Sequence, residues 1–151
     1  MTPIRAWDDL HAGQVFDLGR FSLPEAEVTD FARRFDPQPF HLSREAGEAS
    51  IFGGLVASGL HTLSAAFGHL MRSGLLGDAN LGGNALELRW PNPLRPDEEV
   101  AMRVEVVEVR PLRSRPGIGM ARLRYLVERV ADGAPVLDVT TTHFLRRANA
   151  T

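Results

Sequence analysis

The sequence predicts an α+β domain in which an antiparallel sheet curls around one long apolar helix. Three observations predict it. Residues 59–73 carry apolar side chains around most of a helical repeat. Four later segments alternate apolar and polar residues with a period of two. Turn-forming residues separate the segments, and Asp132-Gly133 is the strongest hairpin signal among them. At 151 residues the chain suits one domain, 1–151, with a proper core.

Composition narrows the chemistry. Seventeen basic residues are all Arg, so a Schiff-base lysine and a phosphate-loop lysine are excluded. With no Cys, thiol catalysis, disulfides, cysteine-zinc sites and iron–sulfur ligation are excluded as well. The net charge of −2 gives no polyanion-binding surface, so no nucleic-acid partner is expected. The segment Met1 to Asp9 has no apolar core of a secretory signal. Residues 51–71 contain Ser58, His61, Ser64 and His69, which suits a buried helix and not a membrane span. A cytoplasmic protein without membrane association is the expectation.

The elements follow in order. Residues 14–23 read as a strand, with Phe16 and Leu18 against Asp17 and Arg20. Pro24 opens a helix with Glu25 and Glu27 at its positive end. Val28, Phe31, Ala32 and Phe35 fall at helical spacing, and the helix must stop before Pro37. Two prolines make residues 36–41 a stiff loop that is neither helix nor central strand. Ser43 caps a short helix over 44–50. The long helix begins at Ser58 or Gly59 and runs to about Ser73, with Gly74 or Gly77 past its end. Its main stripe is Leu60, Leu63, Phe67, Leu70 and Met71. Strands follow at 84–90, 100–106, 121–128 and 135–145, and short turns imply an antiparallel meander.

Two places carry candidate chemistry. Asp36 and His41 stand five residues apart on the stiff loop, where a carboxylate and an imidazole can grip one water. Asp36 lies at the negative end of a helix dipole, which favours its protonated form. On spacing alone, a helix-ending Asp and a turn-packed His is the simpler account. The glycine-rich run Phe52 to Leu60 at the right distance turns the balance toward a site. Ser58 and Gly59 come second: free N–H groups at a helix start can hold a developing oxyanion. The plain alternative is a capping serine followed by a packing glycine. Gly59 leaves room for a substrate to approach the backbone.

Asp36-Pro37-Gln38-Pro39-Phe40-His41 resembles the MaoC-like dehydratase family, which includes the R-specific enoyl-CoA hydratases. The family pattern is Asp, any residue, Asn, Pro, an apolar residue, His, and here Gln38 stands in the Asn position. The run Phe52-Gly53-Gly54-Leu55-Val56-Ala57-Ser58-Gly59-Leu60 is similar to the family too, with Ser58 where His is common. The bend Trp90 to Asp97 fits as well, with Asp97 where Gly is common. The resemblance implies a hot-dog fold, usually assembled as dimers or larger homo-oligomers. It implies reversible hydration of a trans-2-enoyl thioester to the 3-hydroxyacyl thioester. Asp36 and His41 would be catalytic, with Ser58 and Gly59 binding the substrate carbonyl. The substrate would be an acyl-CoA or acyl-carrier-protein thioester. Thioester hydrolysis on the same scaffold, and a non-catalytic acyl-thioester binding module, remain the alternatives.

The remaining polar residues point to less. His61 and His69 lack the i, i+4 spacing of a helical metal pair, and no metal or other cofactor is expected. His61 is placed near the site and His69 in the interior or at an interface. Arg110, Arg113 and Arg115 form a basic loop; guanidinium groups there suit the phosphates of CoA, although a solvated loop is the commoner case.

Overall fold

The computed structural model describes residues 2–149; Met1, Ala150 and Thr151 lie outside the described residues. The elements, in chain order, are β1 (Val15–Phe21), α1 (Glu25–Phe35), α2 (Pro39–Leu42), α3 (Arg44–Glu48) and α4 (Gly59–Ser73), then β2 (Asn80–Arg89), β3 (Val100–Pro111), β4 (Ile118–Arg129) and β5 (Pro135–Arg146). Single 3₁₀ turns occupy Trp7–Asp9 and Gly77–Ala79.

The strands form one antiparallel five-stranded sheet in the order β1-β3-β4-β5-β2. The strands are therefore not a simple meander. β2 pairs with β5, and residues 90–99 cross back to the far side of the sheet. Pro91, Pro93 and Pro96 deny that segment a hairpin. Asp97 takes a left-handed backbone (φ 65) and donates its N–H to the Leu23 carbonyl at 2.8 Å. That conformation accounts for a glycine being favoured at this bend. The Asp132-Gly133 turn joins β4 to β5 as expected, with Gly133 at φ 72.

The alternating residues of β3 and β4 form the concave core face. Val100, Met102, Val104 and Val106, with Ala121, Leu123, Tyr125 and Val127, are all buried. β5 adds Leu137, Val139 and Leu145. α4 starts at the Ser58 cap, whose hydroxyl accepts from the Leu60 N–H at 3.2 Å, and stops at left-handed Gly74. It packs on β1 and β5. Its buried residues are His61, Thr62, Ala66 and Leu70, while Leu60 and Phe67 of the expected stripe are 44% and 42% exposed. Leu70 and small Ala66 join the core cluster, with Leu63 and Met71 packed against it, so only Leu60 and Phe67 of the stripe turn outward.

One buried polar cluster interrupts the core. The Tyr125 hydroxyl donates to His143 Nε2, and His143 Nδ1–H donates to Asn80 Oδ1 at 3.1 Å. The Thr141 hydroxyl lies 2.7 Å from the Tyr125 oxygen. Burial pushes the Tyr125 phenol up and the His143 imidazole down to about 4.

Candidate active site

The loop after α1 is fixed by its prolines and by its own backbone. Asp36 closes α1, its N–H donating to the Ala32 carbonyl at 2.9 Å. Pro37 forbids another helical turn there. The next stretch departs from the expected stiff loop. Residues 39–42 form a helical turn, because Pro39 sits at its first position, where the missing N–H costs nothing. This turn puts His41 inward, 6% exposed, edge-on to Phe40 at 4.6 Å.

Both catalytic candidates are brought together. His41 Nε2 lies 3.3 Å from Asp36 Oδ2. His41 Nδ1 lies 2.7 Å from the Val56 carbonyl oxygen. A carbonyl only accepts, so Nδ1 carries a hydrogen and Nε2 is the nitrogen free to exchange a proton. Val56 is itself held by donating its N–H to the Phe40 carbonyl. The backbone that orients the imidazole is thus tied to the turn that carries it.

Asp36 is gripped on both oxygens. Gln38 Nε2 donates to Oδ1 at 2.7 Å, and the Ser58 hydroxyl donates to Oδ2 at 2.6 Å. Desolvation pushes the Asp36 carboxyl up, but the bonds from Ser58 and Gln38 and the nearby His41 outweigh it. The net position is below the usual carboxylate range. The expected preference for the protonated form at the α1 terminus is therefore corrected, since direct hydrogen bonds dominate the dipole. Gln38, in the Asn position of the pattern, still reaches the carboxylate.

Ser58 and Gly59 sit at the start of α4, as expected, but in different surroundings. Ser58 is fully buried, and its hydroxyl is committed to Asp36 and to the Leu60 N–H. Gly59 N–H meets no acceptor among the described residues. It belongs to the first turn of a fifteen-residue helix, where the dipole is positive. A cavity of about 410 Å³ joins this position to Asp36 and His41. Phe40, Phe52, Leu60 and Trp90 supply much of its apolar wall.

Trp90 is a site residue that the sequence pattern did not reveal. Its indole N–H donates to the Gly59 carbonyl at 2.9 Å. A Cβ on Gly59 would stand 2.5 Å from the indole ring. Gly59 is glycine because the indole lies on it, not because the approach is open. The contact joins residues 31 apart in sequence, which only the closed sheet brings together.

Other candidates fall away from the cavity. His61 stacks on Phe31 at 4.6 Å, its Nδ1 has no partner, and burial lowers its pKa. Thr62 lines the cavity from the same turn of helix. His69 is half-buried, its Nε2 2.6 Å from the Leu18 carbonyl of β1. Arg113 and Arg115 lie in the β3–β4 turn, with Arg110 close behind near the end of β3. Pro111 pairs there with Gly119, whereas the site lies at the end where Val100 pairs with Arg129. At about 3.3 Å per residue these ends are roughly 35 Å apart, out of reach within one chain. Among the described residues no group of three or more His, Cys, Asp or Glu is arranged to hold a metal ion. No helix among them is long and apolar enough to cross a membrane.

Comparison with known proteins agrees with this arrangement. The family model for the MaoC like domain matches residues 9–124. The structure is similar to a MaoC-like dehydratase from Rhodospirillum rubrum, with 38% identity and a TM-score of 0.86, over 93% of this chain and 95% of that one. The sequence is 32% identical to the uncharacterized protein YdeM of Bacillus subtilis, over 74% of this chain and 79% of that protein. A Mycobacterium tuberculosis protein with a double hot-dog fold matches at a TM-score of 0.79 and 22% identity, over 97% of this chain and 45% of that one. With a family model spanning most of its length and a hot-dog sheet wrapped on α4, the chain belongs to the MaoC-like domain family.

Proposed function

We propose that residues 1–151 act as one hot-dog domain that reversibly hydrates a trans-2-enoyl thioester to a 3-hydroxyacyl thioester. The observation that carries this is the single cavity shared by Asp36, His41 and the free N–H of Gly59. Similarity to a MaoC-like dehydratase supports it.

In the neutral form of His41, Nε2 has a lone pair facing the Asp36 carboxylate. A water between them donates one hydrogen to each. The thioester carbonyl accepts from Gly59 N–H, which draws charge away from C3. Water oxygen bonds to C3, the C2–C3 π pair moves into the enolate, and one water proton passes to Nε2. Asp36 stays ionised and pairs with the imidazolium. Nε2–H then returns the proton to C2, the enolate collapses, and His41 is neutral again. Water is added in full and no other reactant is consumed. Dehydration is the reverse.

The carrier is coenzyme A or an acyl carrier protein, and a cytoplasmic site of action goes with such a substrate. The working form is a homodimer or larger homo-oligomer. β2 is an edge strand with one unpaired side, and Leu81 and Leu86 on it are about half exposed. Exposed Phe67 of α4 lies beside a groove of about 670 Å³ along this edge. A second copy covers both surfaces at once.

The test is a panel of enoyl- and 3-hydroxyacyl-CoA esters, followed by the ultraviolet absorbance of the conjugated thioester. Absorbance lost from enoyl esters without release of free thiol is the expected result. Thiol release with the double bond intact identifies a thioesterase, and thermal stabilisation without turnover identifies a binding module.

A further inference from the structure

We propose that Trp90 is the specificity-determining residue of this site, a rigid apolar wall that limits the bulk of the acyl group. This rests on the thioester reading of the cavity. The indole is held in two independent ways. It lies flat on Gly59, at a distance that only a glycine permits, and its one polar group is bonded to the Gly59 carbonyl. With that N–H committed, the ring has no hydrogen bond left for an occupant. The surface it turns to the cavity is hydrocarbon, beside Pro91, Pro93 and Leu94.

Its position decides what it touches. Gly59 N–H is the donor for the thioester carbonyl, and Trp90 rests on the same residue. The atoms next to the carbonyl therefore meet the indole, and the acyl chain leaves the reacting centre past it. A planar conjugated enoyl group suits a flat ring, as offset stacking of π systems does in general. A branched or longer chain must displace a ring that is tied to the first turn of α4. The indole is 45% exposed, so the wall stands at the cavity's border and not in the core. Replacing it enlarges the cavity without opening a void in the sheet.

The experiment compares wild type, Trp90→Ala and Trp90→Phe. For each, kcat/KM is measured with two-octenoyl-CoA and with crotonyl-CoA. Trp90→Ala is expected to raise the octenoyl-to-crotonyl ratio by about tenfold or more, the scale of a few methylenes in an apolar pocket, and Trp90→Phe by much less. A second readout needs no turnover. The protein has two tryptophans, and the other, Trp7, is bonded to Met120 away from the cavity. Saturating butyryl-pantetheine, which has neither a double bond nor an adenine, is expected to change the emission of wild type and not of Trp90→Phe. A ratio in Trp90→Ala within threefold of wild type overturns the proposal. So does emission that changes equally in wild type and Trp90→Phe, or in neither, at ligand concentrations that raise the melting temperature. If no thioester is turned over, the hydratase reading fails, and the emission experiment alone decides whether Trp90 meets an acyl thioester.

Discussion

The Ser58 hydroxyl lies 2.6 Å from Asp36 Oδ2, so the cap of α4 holds the carboxylate that ends α1. This bond favours the ionised form, and removing it moves the Asp36 pKa upward. Ser58→Ala is expected to lower kcat/KM by roughly tenfold to a hundredfold, the scale of a hydrogen bond to a charged group. Carbon-13 NMR titration of the Asp36 carboxyl should show its pKa rising toward the usual 3.8. An unchanged titration in the variant would contradict the assigned role of Ser58.

Gly59 and Trp90 give a second prediction. In Gly59→Ala the new methyl group would meet the ring at 2.5 Å, so the indole must move and its bond to the Gly59 carbonyl breaks. Overpacking of this kind costs about 1–3 kcal/mol. The expected result is a lower urea midpoint and a larger loss of turnover than Ser58→Ala shows. Tryptophan emission should shift to the red as Trp90 enters water. Wild-type stability and emission in Gly59→Ala would mean that the ring does not rest there.

His143 predicts how stability depends on pH. Its ordinary pKa is 6.5, and burial holds it near 4 in the folded protein. Between these values the unfolded chain binds more protons than the folded one, so stability rises with pH across that window. The contribution is fully present above pH 6.5 and is lost as pH falls through 4. Its size is roughly 3 kcal/mol at most. Urea unfolding at steps from pH 4 to 7 should show this slope, and His143→Gln, which can still accept from Tyr125, should flatten it. Parallel slopes for the two proteins would count against a buried neutral His143.

The β2 edge predicts assembly. Leu86→Arg places a charge on an exposed position of the edge strand, where the single chain has nothing to lose. Light scattering after gel filtration should give twice the chain mass of 16.6 kDa, or a higher multiple, for wild type, and the single mass for the variant. A monomeric wild type would remove the second copy from the account.

Much of the fold is legible in the chain because local signals agree. Ser58, the apolar repeat and Gly74 mark α4 to within a residue, and alternation marks the core faces of β3 and β4. Leu86 and Leu88 alternate equally well, yet β2 is an exposed edge. Alternation records which residues share a face and not what covers that face. The Pro39 helix was hidden because proline breaks a helix interior but suits its first turn. Asp36 and His41 stand out by spacing, and the helical turn begun by Pro39 brings them together. The amide of Gln38, the carbonyl of Val56 and the ring of Trp90 carry no such local mark. Their roles depend on a rotamer, on a backbone fifteen residues away, and on a crossing that only the folded sheet creates.

The most direct test of a water held between Asp36 and His41 is the hydration rate of crotonyl-CoA by Asp36→Asn. An amide of the same shape keeps an acceptor toward Ser58 but can neither carry charge nor balance an imidazolium. The account predicts that kcat falls at least about a hundredfold, the low end for losing acid–base assistance, while circular dichroism and the melting curve still report a folded protein. A folded Asp36→Asn protein that hydrates crotonyl-CoA at the wild-type rate would contradict it.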